Sequence, residues 1–408
     1  MKKPELLMPA GNLETLKTAI LYGADAVYIG GEAFSLRAKA DNFTKEKMLE
    51  AIEFAHERNA KVYVTVNIFA HNRDLKAAEE YLHELKEVKP DALIMSDVGL
   101  MRLARKICPE IEIHVSTQLN NTNYGIFNFW YEMGATRVVC ARELSLTEIK
   151  EIKKNIPEDK EIEAFIHGAM CISYSGRCLL SSYMTGRDAN LGACTHPCRW
   201  SYSLVEAQRP GEYYPVEENE RGTYIFNSKD LCMIEHVPEL IDAGIDSLKV
   251  EGRMKTQLYV ATVARTYRNA IDDWYEDPAK YVENLPKYRE EIAKCTYREF
   301  CTGFYFGRPG EEALVYDANT YVKDYTYFGC VESVDDDGYA HLMQKNKFSV
   351  GDEIEILKPD LTDIKVKVLS IRKEETGEEM DSCPHASERI MVKFDRLPES
   401  FDILGGYR

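Results

Sequence analysis

No stretch of this 408-residue chain approaches the roughly 20 consecutive apolar residues of a membrane-spanning helix. Its opening, MKKPELLMPAGNLETLK, has neither an apolar signal core nor a small-residue cleavage site. No membrane partner and a cytoplasmic location are therefore expected. Positive charge is in deficit too: the formal net charge is −17, which favours solubility and repels nucleic acid at long range, so a nucleic-acid partner would have to meet a local basic patch. The flanks of RNAIDDW, the RMK at 253–255 and QKNK are the candidates. H-E-x-x-H, G-x-S-x-G, a P-loop and a G-x-G-x-x-G after a strand are all absent, and standard hydrolase, kinase and nicotinamide-dehydrogenase readings lose their support. The 11 cysteines are an odd number in a large chain without an export signal, which argues for reduced thiols, some of them metal ligands, rather than a disulfide framework.

What the chain does contain is a repeating phrase: a helix stop, a run rich in Val, Ile, Leu and Tyr, then a polar residue or glycine. It occurs as PELLMPAG, GADAVYIGG, NAKVYVTVN, KPDALIMSD, EIEIHVSTQ, GATRVVCARE, EIEAFIHG and GIDSLKVEGR. Helical patterns separate most of these, as in NLETLKTAILYG, where Asn12 can cap the first turn, Leu13, Leu16 and Ile20 form a stripe and Gly23 ends the helix. Near-continuous apolar strands alternating with helices belong to a parallel sheet. Eight such units predict a TIM-type (β/α)8 barrel over 1–275, with a doubly wound sheet as the alternative. The seventh unit is interrupted over 168–230 by a cysteine-rich insertion with hairpin strands expected at RWSYSLVEAQ and RGTYIFNSKD. A helical or irregular connector is expected over 276–326, and the alternating strands of 327–408 predict a small C-terminal β-barrel domain.

In a barrel of this kind the residues that end the strands line one rim, where active sites sit. Here they include Asn67, Asp97, Ser116, Gln118, Arg142, Glu143, His167, Glu251 and Arg253. Just beyond the seventh strand, Cys171, Cys178, Cys194 and Cys198 are spaced C-x6-C-x15-C-x3-C. Structural zinc sites usually show two close pairs, and only the second pair approaches that spacing. Four thiolates also suit an iron–sulfur cluster, which accepts irregular spacing because each ligand meets a different iron. Cluster, zinc and unligated thiols all stay open on the residues alone. Cys232, expected at a helix start, is a fifth candidate ligand, whereas Cys108, Cys140, Cys295, Cys301, Cys330 and Cys383 read as small apolar core residues. His167 and Cys171 could be written as a nucleophile pair, although such a pair needs one activated thiolate and not four.

The segments ELLMPAGNLETLKTAILYGADAVYIGG, LRAKADNF, NIFAHN, HVSTQ, ARELSLTEI, EAFIHGAMCISYSGRCLLSSYMTGRDANLGAC, FNSKDL and SLKVEGRMK resemble the collagenase-like peptidase family U-32 over nearly the whole chain. The architecture is most similar to members that form 5-hydroxyuridine at the wobble position of tRNA; others hydroxylate a ribosomal RNA cytidine or a quinone precursor. The resemblance implies a 4Fe-4S cluster on Cys171, Cys178, Cys194 and Cys198, with Cys198 the least secure. It also implies tRNA as partner, prephenate or a related dicarboxylate as metabolite, and an electron donor or acceptor. A dicarboxylate needs cations, and Arg37, Arg142, Lys229 and Arg253 follow or end strand units. His167 and Glu251 are the groups expected to move protons. The family name implies a metal-dependent peptidase, for which the chain holds no recognisable constellation; an RNA-binding factor with a structural metal is the non-catalytic rival.

Overall fold

A computed structural model describes residues 2–35, 42–171, 173–187, 189, 192–200, 218–219, 222–223, 229–295, 297–309 and 324–407. They form two compact units, one built on Met1–Lys17, Asp25–Met254 and Tyr297–Val322, the other on Thr18–Ala24, Lys255–Thr296 and Lys323–Arg408.

The first unit is the expected eight-stranded parallel barrel. Its strands are β1 (Glu5–Pro9), β2 (Ala26–Gly30), β3 (Lys61–Val66), β4 (Ala92–Met95), β5 (Glu112–Val115), β6 (Arg137–Val139), β7 (Glu161–Ala169) and β8 (Ser247–Val250). Neighbours pair in sequence order and β8 closes the ring, with Ser247 opposite Glu5 of β1 and Lys249 opposite Phe165 of β7. The alternation with helices follows local chemistry. Asn12 Oδ1 accepts from Thr15 N at 2.9 Å, Asp97 accepts from Leu100 N at 3.0 Å, and Ser145 with Glu148 forms a capping box. No helix among the described residues is long and apolar enough to cross a membrane.

The barrel interior carries charge as well as apolar side chains. Arg137 Nη1 meets Glu5 at 2.6 Å, Arg137 Nη2 meets Glu161 at 2.6 Å, and Lys249 Nζ meets Glu163 at 2.6 Å. Tyr63 and Ser247 donate hydroxyls to Glu5 at 2.6 and 2.8 Å. Burial alone would raise the pKa values of Glu5, Glu161 and Glu163, but Arg137 and, for Glu163, first Lys249, outweigh it and hold all three below 4.5. Because the folded values lie below the unfolded ones, the stabilisation is complete above the unfolded value and is lost as pH falls toward the folded values. The urea midpoint should therefore be flat between about pH 8 and 5 and fall below about pH 4.5. Glu5→Gln should flatten that fall, and an unchanged acid limb in this variant would remove Glu5 from the explanation.

The seventh unit is extended beyond the barrel. Asp230–Cys232 pairs antiparallel with the end of β7, Cys232 opposite His167, and Phe300–Cys301 pairs parallel to it. Cys232 thus lies in a strand rather than opening a helix, which starts only at Val237, with Pro238 in its first turn. The two expected hairpin segments lie mostly outside the described residues; of the insertion's strands, Glu218–Asn219 pairs with Gly222–Thr223.

In the second unit, β9 (Tyr325–Val334), β10 (Tyr339–Met343), β11 (Glu353–Leu357), β12 (Ile364–Lys373), β13 (Arg389–Phe394) and β14 (Ile403–Tyr407) close an antiparallel barrel in the order β11-β14-β9-β10-β13-β12, β12 returning to β11. Phe328, Val331, Ile356, Val392 and Leu404 are among its core residues. The boundaries differ from the sequence expectation. Helices Gln257–Glu276 and Pro278–Ala293, expected at the end of the first domain and in a connector, group with this unit because buried Arg265 bonds Asp363 at 2.5 Å and Glu291, while Lys294 Nζ reaches Asp363 at 2.8 Å. Later connector residues group with the first unit: Arg298 grips Asp230 at 2.5 Å, and Tyr305 donates to Phe165 O at 2.5 Å.

Candidate active site

The ends of the strands and the cysteine segment enclose a cavity of about 230 Å³ at the C-terminal mouth of the barrel. Of the strand-end residues singled out from sequence, Asn67, Ser116, Gln118, Arg142, Glu251 and Arg253 line it, and so do Cys171, Cys178, Cys194 and Cys198. Tyr28, Thr65, Phe165 and Lys249, from inside the strands, complete its floor and walls.

Each charged group is held by its neighbours. The Arg142 guanidinium lies 4.1 Å from the centre of the Phe165 ring, donates to Ala169 O at 3.2 Å and approaches Glu251 at 3.6 Å. Its Nε is buried with no hydrogen-bond partner among the described residues, a state that buried donors rarely keep unless a further group meets them. Arg253 Nη1 donates to Ser35 Oγ at 2.7 Å and Thr65 Oγ1 at 3.0 Å. A Cβ on Gly30 would stand 2.1 Å from that nitrogen, so the glycine makes room for the guanidinium against the strand. Lys249 Nζ sits 4.5 Å from the Tyr28 ring centre and is bonded to Glu163. On the opposite strands, Asn67 Nδ2 donates to Gln118 Oε1 at 2.8 Å and Ser116 Oγ donates to the same oxygen at 3.2 Å.

The cysteine segment is fastened to this rim. Asn120 donates to Ser175 O at 3.2 Å and accepts from Arg177 Nε at 2.8 Å. Gly176, at φ +74, packs so near Phe69 that a Cβ would come within 3.2 Å of the ring. The His196 backbone N–H donates to Cys194 Sγ at 3.4 Å. The four thiols are the residues able to hold a metal group. Among the described residues no three His, Cys, Asp or Glu side chains gather as one ion would require; the four thiols share the lining of one cavity. Elsewhere in the barrel, burial pushes the Cys108 thiol up to about 11 and that of Cys140 higher, leaving both protonated.

Asp97, Glu143, His167, Lys229 and Cys232 are not among the residues that line the cavity. His167 is buried on β7 with its ring 5.6 Å from Phe300, and Cys171 alone of the suggested nucleophile pair is on the cavity wall. Lys229 pairs with Glu299 at 2.9 Å. Cys232 is also off the wall. Arg37 lies outside the described residues. Asp97 serves as a helix cap and also accepts from Ala70 N at 3.2 Å. Lys249 and Thr65 were missed, although a lysine within the apolar run SLKV is itself a signal that the position faces a barrel interior able to pair it.

The profile of peptidase family U32 matches residues 11–314, and that of the peptidase family U32 C-terminal domain matches residues 323–404. The chain is 43% identical over 396 residues to tRNA hydroxylation protein P1 of Bacillus subtilis (strain 168), covering 97% of this chain and 93% of that protein. It is 41% identical to tRNA hydroxylation protein P of Escherichia coli (strain K12), covering 88% and 87%. A 23S rRNA 5-hydroxycytidine synthase of the same E. coli strain is 39% identical over 67% of this chain and 40% of its own length. With a profile match across the barrel and a second across the small domain, this chain belongs to peptidase family U32.

Proposed function

We propose that the chain is a cytoplasmic RNA hydroxylase that forms 5-hydroxyuridine at the tRNA wobble position without molecular oxygen. In this reading a 4Fe-4S cluster is held by Cys171, Cys178, Cys194 and Cys198, and prephenate or a metabolite derived from it is consumed. The observation that carries the proposal is the convergence of four thiols, two guanidiniums, Glu251 and Lys249 on one cavity. The names of the relatives, two concerned with tRNA hydroxylation and one with a ribosomal RNA hydroxycytidine, supply the reaction class. Four thiols lining one cavity match the ligand count of a cluster of several metal atoms.

When bound, such a cluster supplies one-electron chemistry at the cavity wall. The remaining work falls to the chain. Arg142 and Arg253 provide planar donors for a dicarboxylate, and the unmet Nε of Arg142 is one of them. Lys249, fixed by Glu163, adds positive charge to the floor. Glu251 is the carboxylate placed to accept a proton, in preference to His167, which is off the wall. Asn67, Ser116 and Gln118 present amide and hydroxyl groups that can read the polar edge of a base. A pyrimidine must be unstacked to enter, and an anticodon loop offers one already single-stranded. With water as the oxygen source, replacing the C–H bond of the base by C–OH releases two electrons and two protons, and an electron acceptor outside this chain takes the electrons.

Cells grown without oxygen and blocked at the chorismate-to-prephenate step should lose hydroxyuridine from tRNA and regain it when prephenate is supplied. Persistence of the modification in blocked cells would contradict the assigned metabolite. Peptide cleavage by the purified protein that is abolished by chelator and independent of RNA would favour the peptidase reading instead.

A further inference from the structure

The segment that carries the four cysteines turns its largest apolar side chains outward. Tyr183 is 87% exposed and Leu179 67%, and Tyr174, Met184 and Trp200 are also exposed. The short helix Leu180–Thr185 buries Ser181 rather than Tyr183. Its local chemistry explains the inversion: Ser181 Oγ donates to Arg187 O at 2.8 Å, meets Thr195 Oγ1 at 3.1 Å and accepts from Thr195 N at 3.0 Å, tying the loop together from inside. Thr185 Oγ1 also meets Thr195 Oγ1, at 3.2 Å. The helix and the turn at Pro197–Arg199, which precedes Trp200, are thus knit into one surface bordering the cavity that Tyr174, Cys178, Cys194 and Cys198 line.

The charge of this segment in the sequence runs against that of the chain as a whole. From His167 to Trp200 the chain has three arginines, Arg177, Arg187 and Arg199, against a single acid, Asp188, in a protein of net charge −17. Arg177 and Arg187 are exposed. The basic patches expected from sequence fare differently. Arg253 of RMK is buried against Ser35 and Thr65, Arg268, the first residue of RNAIDDW, is paired with Asp272 at 2.5 Å, and Lys345 and Lys347 of QKNK are exposed.

We propose that this surface is a stacking platform for single-stranded RNA. Bases flanking the one that enters the cavity lie against Tyr183, Trp200 and Tyr174, and neighbouring phosphates meet Arg177 and Arg187. Aromatic faces interleaved with arginine are the chemistry that holds unpaired nucleotides, because every base offers a π face and every linkage a phosphate. An electron-transfer protein, the other class of partner for an exposed apolar patch, would account for the aromatics and not for a local excess of arginine next to a base-sized cavity. The inference rests on the RNA-hydroxylase reading for the identity of the ligand.

The test uses the full-length protein, loaded with metal, and a stem–loop RNA with an unpaired loop, compared with the fully paired duplex of the same sequence. Tyr183→Ala and Trp200→Ala should each weaken stem–loop binding about tenfold or more, leaving weak duplex binding unchanged. Tyr183→Phe should bind as the parent does, since the face and not the hydroxyl is used. Arg187→Ala should lower the salt slope of binding by about one phosphate contact. Iron content and thermal unfolding should stay at parental values in Tyr183→Ala, whose side chain is exposed. Parental RNA affinity in both alanine variants would overturn the platform, as would intact RNA binding with loss only of reduction by an electron donor, which would reassign the surface to a protein partner. If the variants lose RNA binding as expected while the parent never hydroxylates RNA, the platform stands and the proposed reaction fails. If hydroxylation is real and RNA affinity unaltered, the reverse holds.

Discussion

Cys178→Ala should yield a folded, colourless protein with no hydroxylating activity, and Cys171→Ala and Cys194→Ala should do the same. The parent, purified without oxygen, should be brown and contain about four iron and about four sulfide per chain. All three thiols lie on the cavity wall with Cys198, and the loop that carries them is pinned to the barrel rim through Asn120 and Gly176 rather than through the sulfurs. Losing one thiol therefore removes a ligand without removing the scaffold, and thermal unfolding of the barrel should shift little. Cys232→Ala and Cys140→Ala are the controls that should keep colour and metal, since Cys232 lies in a strand off the cavity and Cys140 is a buried, protonated thiol. Zinc in stoichiometric amount without sulfide in the parent would contradict the cluster. A colourless Cys232→Ala variant would move a ligand to that strand.

Arg142→Ala should keep the cluster and lower RNA hydroxylation on the order of a hundredfold. The guanidinium lies over Phe165, and its buried Nε has no hydrogen-bond partner among the described residues. An anion meeting this buried nitrogen gains a charge-assisted bond, and removing one side of such a bond costs about 2–5 kcal/mol. The loss should appear chiefly as a raised KM for the dicarboxylate, with Arg142→Lys recovering only part of it because an ammonium lacks the planar fork. Lys229→Ala, which breaks the pair with Glu299 away from the cavity, should stay within about twofold of the parent. Equal losses in Arg142→Ala and Lys229→Ala would show that the cavity cation has no special role.

The barrel was legible because parallel strands buried on both faces read as short apolar runs between a helix stop and a polar residue; GADAVYIGG and NAKVYVTVN contain β2 and β3. The rim was legible for the same reason, since the polar residue that ends a run is the one that faces the mouth. What lay inside the strands was harder. Arg137, Glu163 and Lys249 sit within apolar runs, and their meaning depends on partners more than 20 residues away that only the closed barrel brings together. His167 and Lys229 show the converse. Each follows or ends a strand unit as Arg142 and Glu251 do, but His167 is buried against Phe300 and Lys229 pairs with Glu299, beside an added strand at Asp230–Cys232 whose pairing with β7 no local pattern signals. The extent of the barrel domain was misjudged at Gln257–Glu276 because the helix follows β8 as a barrel helix would, whereas its buried Arg265 finds carboxylates on Glu291 and Asp363.

Nucleosides of total tRNA from a strain lacking this gene, measured by mass spectrometry after growth without oxygen, test the central claim most directly. The account predicts that 5-hydroxyuridine and its derivatives disappear, return with the parental gene and fail to return with the Cys178→Ala form. A deletion strain with an unchanged content of hydroxylated uridine, in the absence of another enzyme of the same activity, or full rescue by Cys178→Ala, would contradict it.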